Sequence, residues 1–433
     1  MQLLLNGRQV SVDAAPGESL LQVLRERCGL RAMKDGCAPE GSCGACTVIV
    51  DGRAVVSCAQ PASRVADGHV ITLEGLSPEA RALWADSFAV TGAAQCGYCS
   101  PGIVMKTHAL LEREAAPSRA EIARALAGNL CRCTGYVKII DAIELVAAAR
   151  RGGSRPEVDR SGGIGSRTVR YRAREFALGE RPFVNDLAVP RMLHAALRFS
   201  DHPRAVVLRI DTTRAAAHPG VVAVITARDV PGKRHQGLIV DDWPLFVAEG
   251  ETTRYAGGVL AAMADETRRA ARDAAALVEI EWQVLDPVTD PFEALAPGAP
   301  SLYEGGNLVS LSVVKRGDVD AALAGATHGA TETFHTAAIE HAFLEPEACL
   351  AVPRSGTDGV DGTADDRGLG GPAPGRILPW PSRGGRPSEP GLDRRRVRRQ
   401  GGSQQRPGPG GAARTPGGAA RWRSTAARAS VST

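Results

Sequence analysis

The stretch "GCAPEGSCGACTV", Gly36–Val48, places three cysteines within ten residues and sets glycines between them. Three thiols so close can form a disulfide, bind zinc or hold an iron–sulfur cluster, and the residues that follow narrow the choice. After Cys46 the chain reads "TVIVDGRAVVSC", with Asp51-Gly52 between two apolar runs. Asp-Gly in that setting predicts a two-residue hairpin turn. Such a turn sets Cys46 opposite Ser57 and brings Cys58 beside the first three thiols. Gly36, Gly41 and Gly44 free the backbone to wrap closely around an inorganic core, with N–H groups aimed at the sulfurs.

The chain has ten cysteines, and eight fall into two quartets. Cys37, Cys43, Cys46 and Cys58 are spaced C-x5-C-x2-C-x11-C, close to the plant-type ferredoxin pattern for [2Fe–2S]. Cys96, Cys99, Cys131 and Cys133 are spaced C-x2-C-x31-C-x-C. Structural zinc sites more often use two separated C-x2-C pairs, which neither quartet reproduces. Cys28 and Cys349 are left over and read as small buried apolar residues.

The second quartet is expected on helices. "CSPGIVMKTHALLERE" offers Ser100 as N-cap with Pro101 at the first helical position. "SRAEIARALAGNLCRC" carries a capping box, Ser118 with Glu121 three residues on, and Gly128 to stop the helix. The two helix ends then bring Cys99 and Cys131 together as part of a second cage.

"GCAPEGSCGACTV", "QCGYCSPG" and "NLCRCTGY" together resemble the iron–sulfur part of the xanthine dehydrogenase / aldehyde oxidase family of molybdenum hydroxylases. The resemblance covers about residues 1–150, which are expected to be self-contained. One departure is the five residues between Cys37 and Cys43, where most members have four. The resemblance implies two [2Fe–2S] clusters on the eight cysteines, and Gln95 and Cys133 against the pterin of a molybdenum cofactor.

The resemblance implies an α+β fold. It comprises a β-grasp ferredoxin-like domain (1–76), a four-helix [2Fe–2S] domain (77–149), and a polar Gly/Arg/Ser linker (150–166). An α/β hammerhead-like domain (167–285) and the incomplete start of a molybdopterin-binding domain (286–353) follow. Beyond the linker, short β-branched runs such as "GVVAVITARDVPG" and "NLVSLSVVKRGDVDAAL" alternate with Ala/Arg-rich helical stretches. Only the linker lies where relatives with a flavin domain carry it. No in-chain FAD is therefore expected, and a separate FAD or electron-acceptor subunit is implied. The implied substrate of the parent enzyme is a small heterocycle or aldehyde. In "IEHAFLEPEACLAV" (339–352), His341 and Glu345 are four apart with Glu340 and Glu347 close by, and three of these four could bind a metal, but the apolar interleaving argues against an open site. The segment resembles the family's "EH…LEP" stretch, with Ile339 where many members have Gln.

Residues 354–433 break the pattern, with seventeen Gly, nine Pro, fifteen Arg, no Lys and seven Val, Ile or Leu. So few apolar residues cannot offset the entropy of ordering, and the tail is expected to be disordered. "DRRRVRRQGG" (393–402) has no aromatic neighbours for base stacking, so no nucleic-acid partner is expected. Arg without Lys fits GC-rich DNA read out of frame. Back-translated within codon degeneracy and read one nucleotide later, Asp393–Gly402 yields Gly-Gly-Ala-Phe-Gly-Gly-Lys-Glu. That string resembles the family's pterin-contact motif, which implies a frameshift near 353–375. The resulting chain would lack the family's catalytic Glu and be inactive alone. No apolar run of membrane-spanning length occurs and net charge is only +4, so a cytoplasmic protein with no membrane partner is expected. The alternative is a stand-alone iron–sulfur electron-transfer protein.

Overall fold

Asn6-Gly7 and Asp51-Gly52 open the first sheet, because all four residues take the positive φ of a type I′ turn. Each turn joins an antiparallel pair: β1 (Gln2–Leu5) with β2 (Arg8–Ser11), and β3 (Thr47–Val50) with β4 (Arg53–Val56). β5 (His69–Ile71) lies between the hairpins, parallel to β1 and antiparallel to β3, giving the order β2-β1-β5-β3-β4. The computed structural model describes residues 1–159, 161–236, 240–314, 316–337 and 342–353, with the backbone of 360–364 and 423–425.

The helical turn α1 (Leu20–Gln22) is started by a Ser19/Gln22 capping box and continues as a π-helical turn, Val23–Arg27. Its Leu20, Leu21, Val23 and Leu24 are buried with Leu3, Leu5, Val48 and Val70. Each such side chain contributes about 1.5–3 kcal/mol on burial. This is the β-grasp expected from the sequence.

Four helices follow: α2 (Pro78–Thr91), α3 (Ser100–Leu111), α4 (Arg119–Ala125) and α5 (Val137–Arg150). Ser77 caps α2 with Pro78 inside its first turn, and Ser118 and Glu121 form the expected capping box on α4. One cap differs. Ser100 is the first residue of α3 rather than its cap, and Cys99 holds the N-cap position with no side-chain hydrogen bond. Pro101 lacks an N–H and fits anywhere in the first turn, so it does not fix the boundary to one residue. Trp84, Phe88, Ile103, Val104, Ile139 and Ile143 close the core between these helices.

α6 (Ala173–Leu178) comes next, then β6 (His194–Phe199), β7 (Ala205–Asp211), α7 (Thr213–Ala216), β8 (Val221–Thr226), β9 (His235–Gln236), β10 (Trp243–Pro244), β11 (Val259–Asp265), α8 (Arg268–Ala276) and β12 (Glu279–Val284). The chain divides into two compact units. One is Met1–Ala196 with Ala264–Ala271 and the described part of Ala342–Thr433; the other is Leu197–Met263 with Arg272–His341. In the second, β7 and β12 pair antiparallel over Val207, Val247, Leu260, Ile210, Ile280 and Trp282.

Three observations bear on these expectations. First, Phe176, Ala177, Leu178 and Phe183 are buried in the same core as the four helices, so residues beyond 150 pack on the iron–sulfur body. Second, "NLVSLSVV" forms no strand. Val309, Leu311 and Val314 are exposed, and a strand without a neighbour leaves its backbone groups unpaired. Third, regular structure does not stop at Pro353. β13 (Ala348–Pro353) pairs antiparallel with β14 (Val360–Ala364), which meets the hydrogen-bonding demand of one β13 edge. Apart from β14 and the short strand Arg423–Thr425, the tail and its Arg-rich run lie outside the described residues.

Candidate iron–sulfur sites

The first quartet is buried: Cys37 is 7 %, Cys43 1 %, Cys46 1 % and Cys58 5 % exposed. The hairpin delivers the fourth thiol as expected. Ser57 donates to the Cys46 carbonyl through its N–H and its hydroxyl, at 3.4 and 2.7 Å. The thiols come in two pairs, each with a backbone N–H aimed at a sulfur. The Cys43 N–H lies 3.3 Å from Cys37 Sγ and the Cys58 N–H 3.4 Å from Cys46 Sγ. Burial pushes the Cys43 thiol up to about 12. The Cys58 thiol draws Cys46 down to about 7, and is itself pushed far up by that hydrogen bond and by burial.

The second quartet joins the loop before α3 to the loop before α5. Cys133 Sγ lies 3.5 Å from Cys96 Sγ, and Cys99 shares a hydrogen bond with Cys131. Hydrogen bonding from Cys99 pulls Cys131 down to about 5, and that from Cys96 pulls Cys133 to about 6. Cys99 and Cys96 rise in return, each first through its thiol partner and then through burial. Tyr136, Thr134 and Asn129 build the second loop. The Cys131 N–H donates to Tyr136 Oη at 2.8 Å, Tyr136 Oη donates to the Asn129 carbonyl at 3.0 Å, and Thr134 Oγ1 lies 3.1 Å from Cys131 Sγ. Cys96, Cys131 and Cys133 are half-buried and the neighbouring Gln95 is exposed, so this quartet is less enclosed than the first.

Among the described residues no group of three or more His, Cys, Asp or Glu converges on a single metal-ion position. Thiol pairs, 37/43 with 46/58 and 96/133 with 99/131, are the donor pattern of a core with two metals, each taking two thiolates. Four adjacent thiolates cannot stay ionised in a dry pocket without a positive core to neutralise them. Glu340 and His341 lie outside the described residues, and so does the metal site considered there. Cys28 and Cys349 are half-buried rather than buried.

The two quartets are joined by backbone. The Leu130 N–H donates to the Cys43 carbonyl at 2.9 Å, and Asn129 Nδ2 donates to the Gly44 carbonyl at 3.0 Å. Gly44 makes the approach possible: its φ is +68°, and a Cβ there would sit 2.3 Å from the Gly128 carbonyl oxygen.

Sequence reading missed the charges behind the first quartet. Arg25 Nη2 and Lys34 Nζ meet the two oxygens of Asp186 at 2.8 and 2.7 Å, with all three side chains buried. The Lys34 N–H holds the Ala45 carbonyl inside the cysteine loop. Burial favours the neutral Asp186 carboxyl, but Lys34 and Arg25 outweigh it and hold the group below the ordinary carboxylate range. Nothing local marks Asp186 as their partner, since it follows Lys34 by 152 positions.

Comparison with known proteins agrees with this layout. Residues 3–73 match the 2Fe-2S iron-sulfur cluster binding domain and 72–144 the [2Fe-2S] binding domain. Residues 178–286 match the aldehyde oxidase and xanthine dehydrogenase a/b hammerhead domain, and 303–364 the molybdopterin cofactor-binding domain. The nicotinate dehydrogenase small FeS subunit of Eubacterium barkeri is 44% identical over 144 residues, 33% of this chain and 91% of that protein. The aldehyde oxidoreductase of Megalodesulfovibrio gigas is 32% identical over 383 residues, 82% of this chain. A solved aldehyde oxidoreductase from Desulfovibrio gigas superposes with a TM-score of 0.75 at 29% identity, over 84% of this chain and 43% of that one.

Fold and paired thiols together define an iron–sulfur redox protein with two cluster-binding domains fused to a molybdenum-binding region. The chain belongs to the xanthine dehydrogenase / aldehyde oxidase family of molybdenum hydroxylases. It spans 41% of the length of the Megalodesulfovibrio gigas enzyme. Among the described residues no helix is long and apolar enough to cross a membrane.

Proposed function

We propose that this chain is the electron-transfer part of a molybdenum hydroxylase, with Cys37, Cys43, Cys46 and Cys58 holding one [2Fe–2S] cluster and Cys96, Cys99, Cys131 and Cys133 a second. The observation that carries the reading is the convergence of eight thiols as two sets of pairs, with the Leu130 N–H bonded to the Cys43 carbonyl between them. When bound, such clusters take up and pass on one electron at a time.

The chain's own residues supply the rest. The buried first quartet keeps water from its sulfurs, and N–H groups aimed at Cys37 and Cys46 stabilise thiolate charge. The less enclosed second quartet, at Gln95 and Cys133, is the proposed contact for the pterin of the molybdenum cofactor. Residues 303–364 would begin the domain that holds that cofactor, and the proposed parent reaction is hydroxylation of a small heterocycle or aldehyde. Relatives named as separate subunits, such as the xanthine dehydrogenase iron-sulfur-binding subunit of Escherichia coli O157:H7, favour a separate FAD or electron-acceptor subunit as partner. A cytoplasmic location is part of the same proposal.

The test is elemental and spectroscopic. The purified chain should carry two irons and two labile sulfides for each quartet and show two distinct EPR signals on reduction with dithionite. Cys133→Ser should perturb one signal and leave the other. Zinc in place of iron, with no labile sulfide, would sink the reading.

A further inference from the structure

We infer that Arg170, held against the Phe176 ring beside Cys96 and Cys133, raises the reduction potential of the cluster proposed for that quartet. The inference rests on the cluster reading above and adds a charge that the cysteine pattern does not contain.

Three observations place the charge. The loop carrying Cys96 and Cys99 packs directly on Phe176: a Cβ at Gly97, whose φ is +83°, would lie 2.7 Å from Phe176 Cδ1. Phe176 is 2 % exposed and therefore fixed. Two guanidinium groups stack on its ring, Arg170 with Cζ 4.1 Å and Arg181 with Cζ 4.6 Å from the centroid. A phenyl ring attracts cations to its face, so Phe176 seats Arg170 next to the second quartet rather than letting it extend into water.

The buried Nη1 of Arg170 has no hydrogen-bond acceptor, which leaves the ring as the contact that holds this edge of the guanidinium. Gly97, packed on Phe176, follows Cys96 directly, so the guanidinium lies one ring away from the loop that carries Cys96 and Cys99.

Reduction by one electron adds a negative charge to a centre already surrounded by four thiolates. A fixed cation nearby favours that added charge and lifts the potential, and partial burial lowers the local dielectric so that the effect survives screening. Arginine stays charged across the accessible pH range. Phe176 is a positioning residue that seats Arg170, and Arg181 shares its ring.

The experiment is an EPR-monitored potentiometric titration of the full chain with both clusters assembled, comparing wild type, Arg170→Gln and Arg170→Lys. Arg170→Gln should lower the midpoint of the second-quartet signal, identified as the one perturbed by Cys133→Ser. The reduction equilibrium should change about tenfold, which is 59 mV for a one-electron couple. The first-quartet signal should stay in place and serve as the internal control. Arg170→Lys, which keeps the charge, should recover most of the shift. Equal shifts of both signals, no shift, or a lysine variant as displaced as the glutamine variant would each overturn the inference. A wild-type chain lacking a second cluster signal would instead overturn the cluster reading, and this inference with it.

Discussion

Replacing Asp186 with Ala should destabilise the first unit far more than an ordinary surface charge change. The carboxylate accepts from Arg25 at 2.8 Å, from Lys34 at 2.7 Å and from the Phe183 N–H at 3.0 Å. Side-chain exposures are 7 % for Arg25, 1 % for Lys34 and 3 % for Asp186. Removing one partner of a buried pair typically costs about 3–5 kcal/mol, mostly because the other charge stays buried and uncompensated. Here two cations are stranded, so the upper end applies, reduced by whatever Lys34 recovers by giving up its proton. Burial already pulls the Lys34 ammonium below its usual range, with Asp186 opposing it.

For a unit of this size the loss corresponds to a fall in Tm of roughly 6–20 °C, at about 2–4 °C per kcal/mol. Thermal melts of the full chain followed by circular dichroism would read it. Lys34→Met combined with Asp186→Ala should recover part of the loss, because it removes one stranded charge. The pH dependence has a fixed sign. Asp186 titrates below its unfolded value in the folded state, so its contribution is present above the ordinary carboxylate range, near pH 4, and disappears as pH falls through the lower folded value. Asp186→Asn should therefore show a shallower loss of stability between pH 5 and acid conditions than wild type. A Tm within about 2 °C of wild type for Asp186→Ala would refute the reasoning, since a triad worth so little cannot be holding residues 183–186 to the cysteine loop.

Gly44→Ala should separate the two cysteine loops, because its Cβ would meet backbone at 2.3 Å and no side-chain adjustment can relieve that; the readout is loss of hydrogen-exchange protection at Leu130. Ser118→Ala removes a complete capping box from α4 and should cost about 1 kcal/mol in urea unfolding, with both cluster signals unchanged. The DNA behind residues 393–402, read one base out of phase, should encode Gly-Gly-Ala-Phe-Gly-Gly-Lys-Glu within an open frame; resequencing checks this, and a stop codon within a few positions would end the frameshift proposal.

Local chemistry determined much of this protein from sequence alone. Cysteine spacing, the Asp51-Gly52 turn, the Ser118/Glu121 box and Pro101 act over a few residues, and each left a readable mark. They marked a hairpin, two helix starts and eight candidate ligands, while the β-grasp and four-helix domains came with the family resemblance, and the structure pairs those thiols. Even the misplaced cap at Ser100 moved by one residue only.

Tertiary structure decided what depends on distant partners. Asp186 meets Lys34 and Arg25 only because residues 173–186 return to the iron–sulfur body, and an ion pair 152 positions apart has no period or spacing to betray it. Arg170 reads as one arginine among many in an Arg-rich segment until it stacks on Phe176, which packs against Gly97 between Cys96 and Cys99. "NLVSLSVV" has strand-forming residues and remains unpaired, while Val360–Ala364 lies in a Gly-rich stretch and pairs with β13. A strand is a relation between two segments, and propensity in one of them does not supply the other.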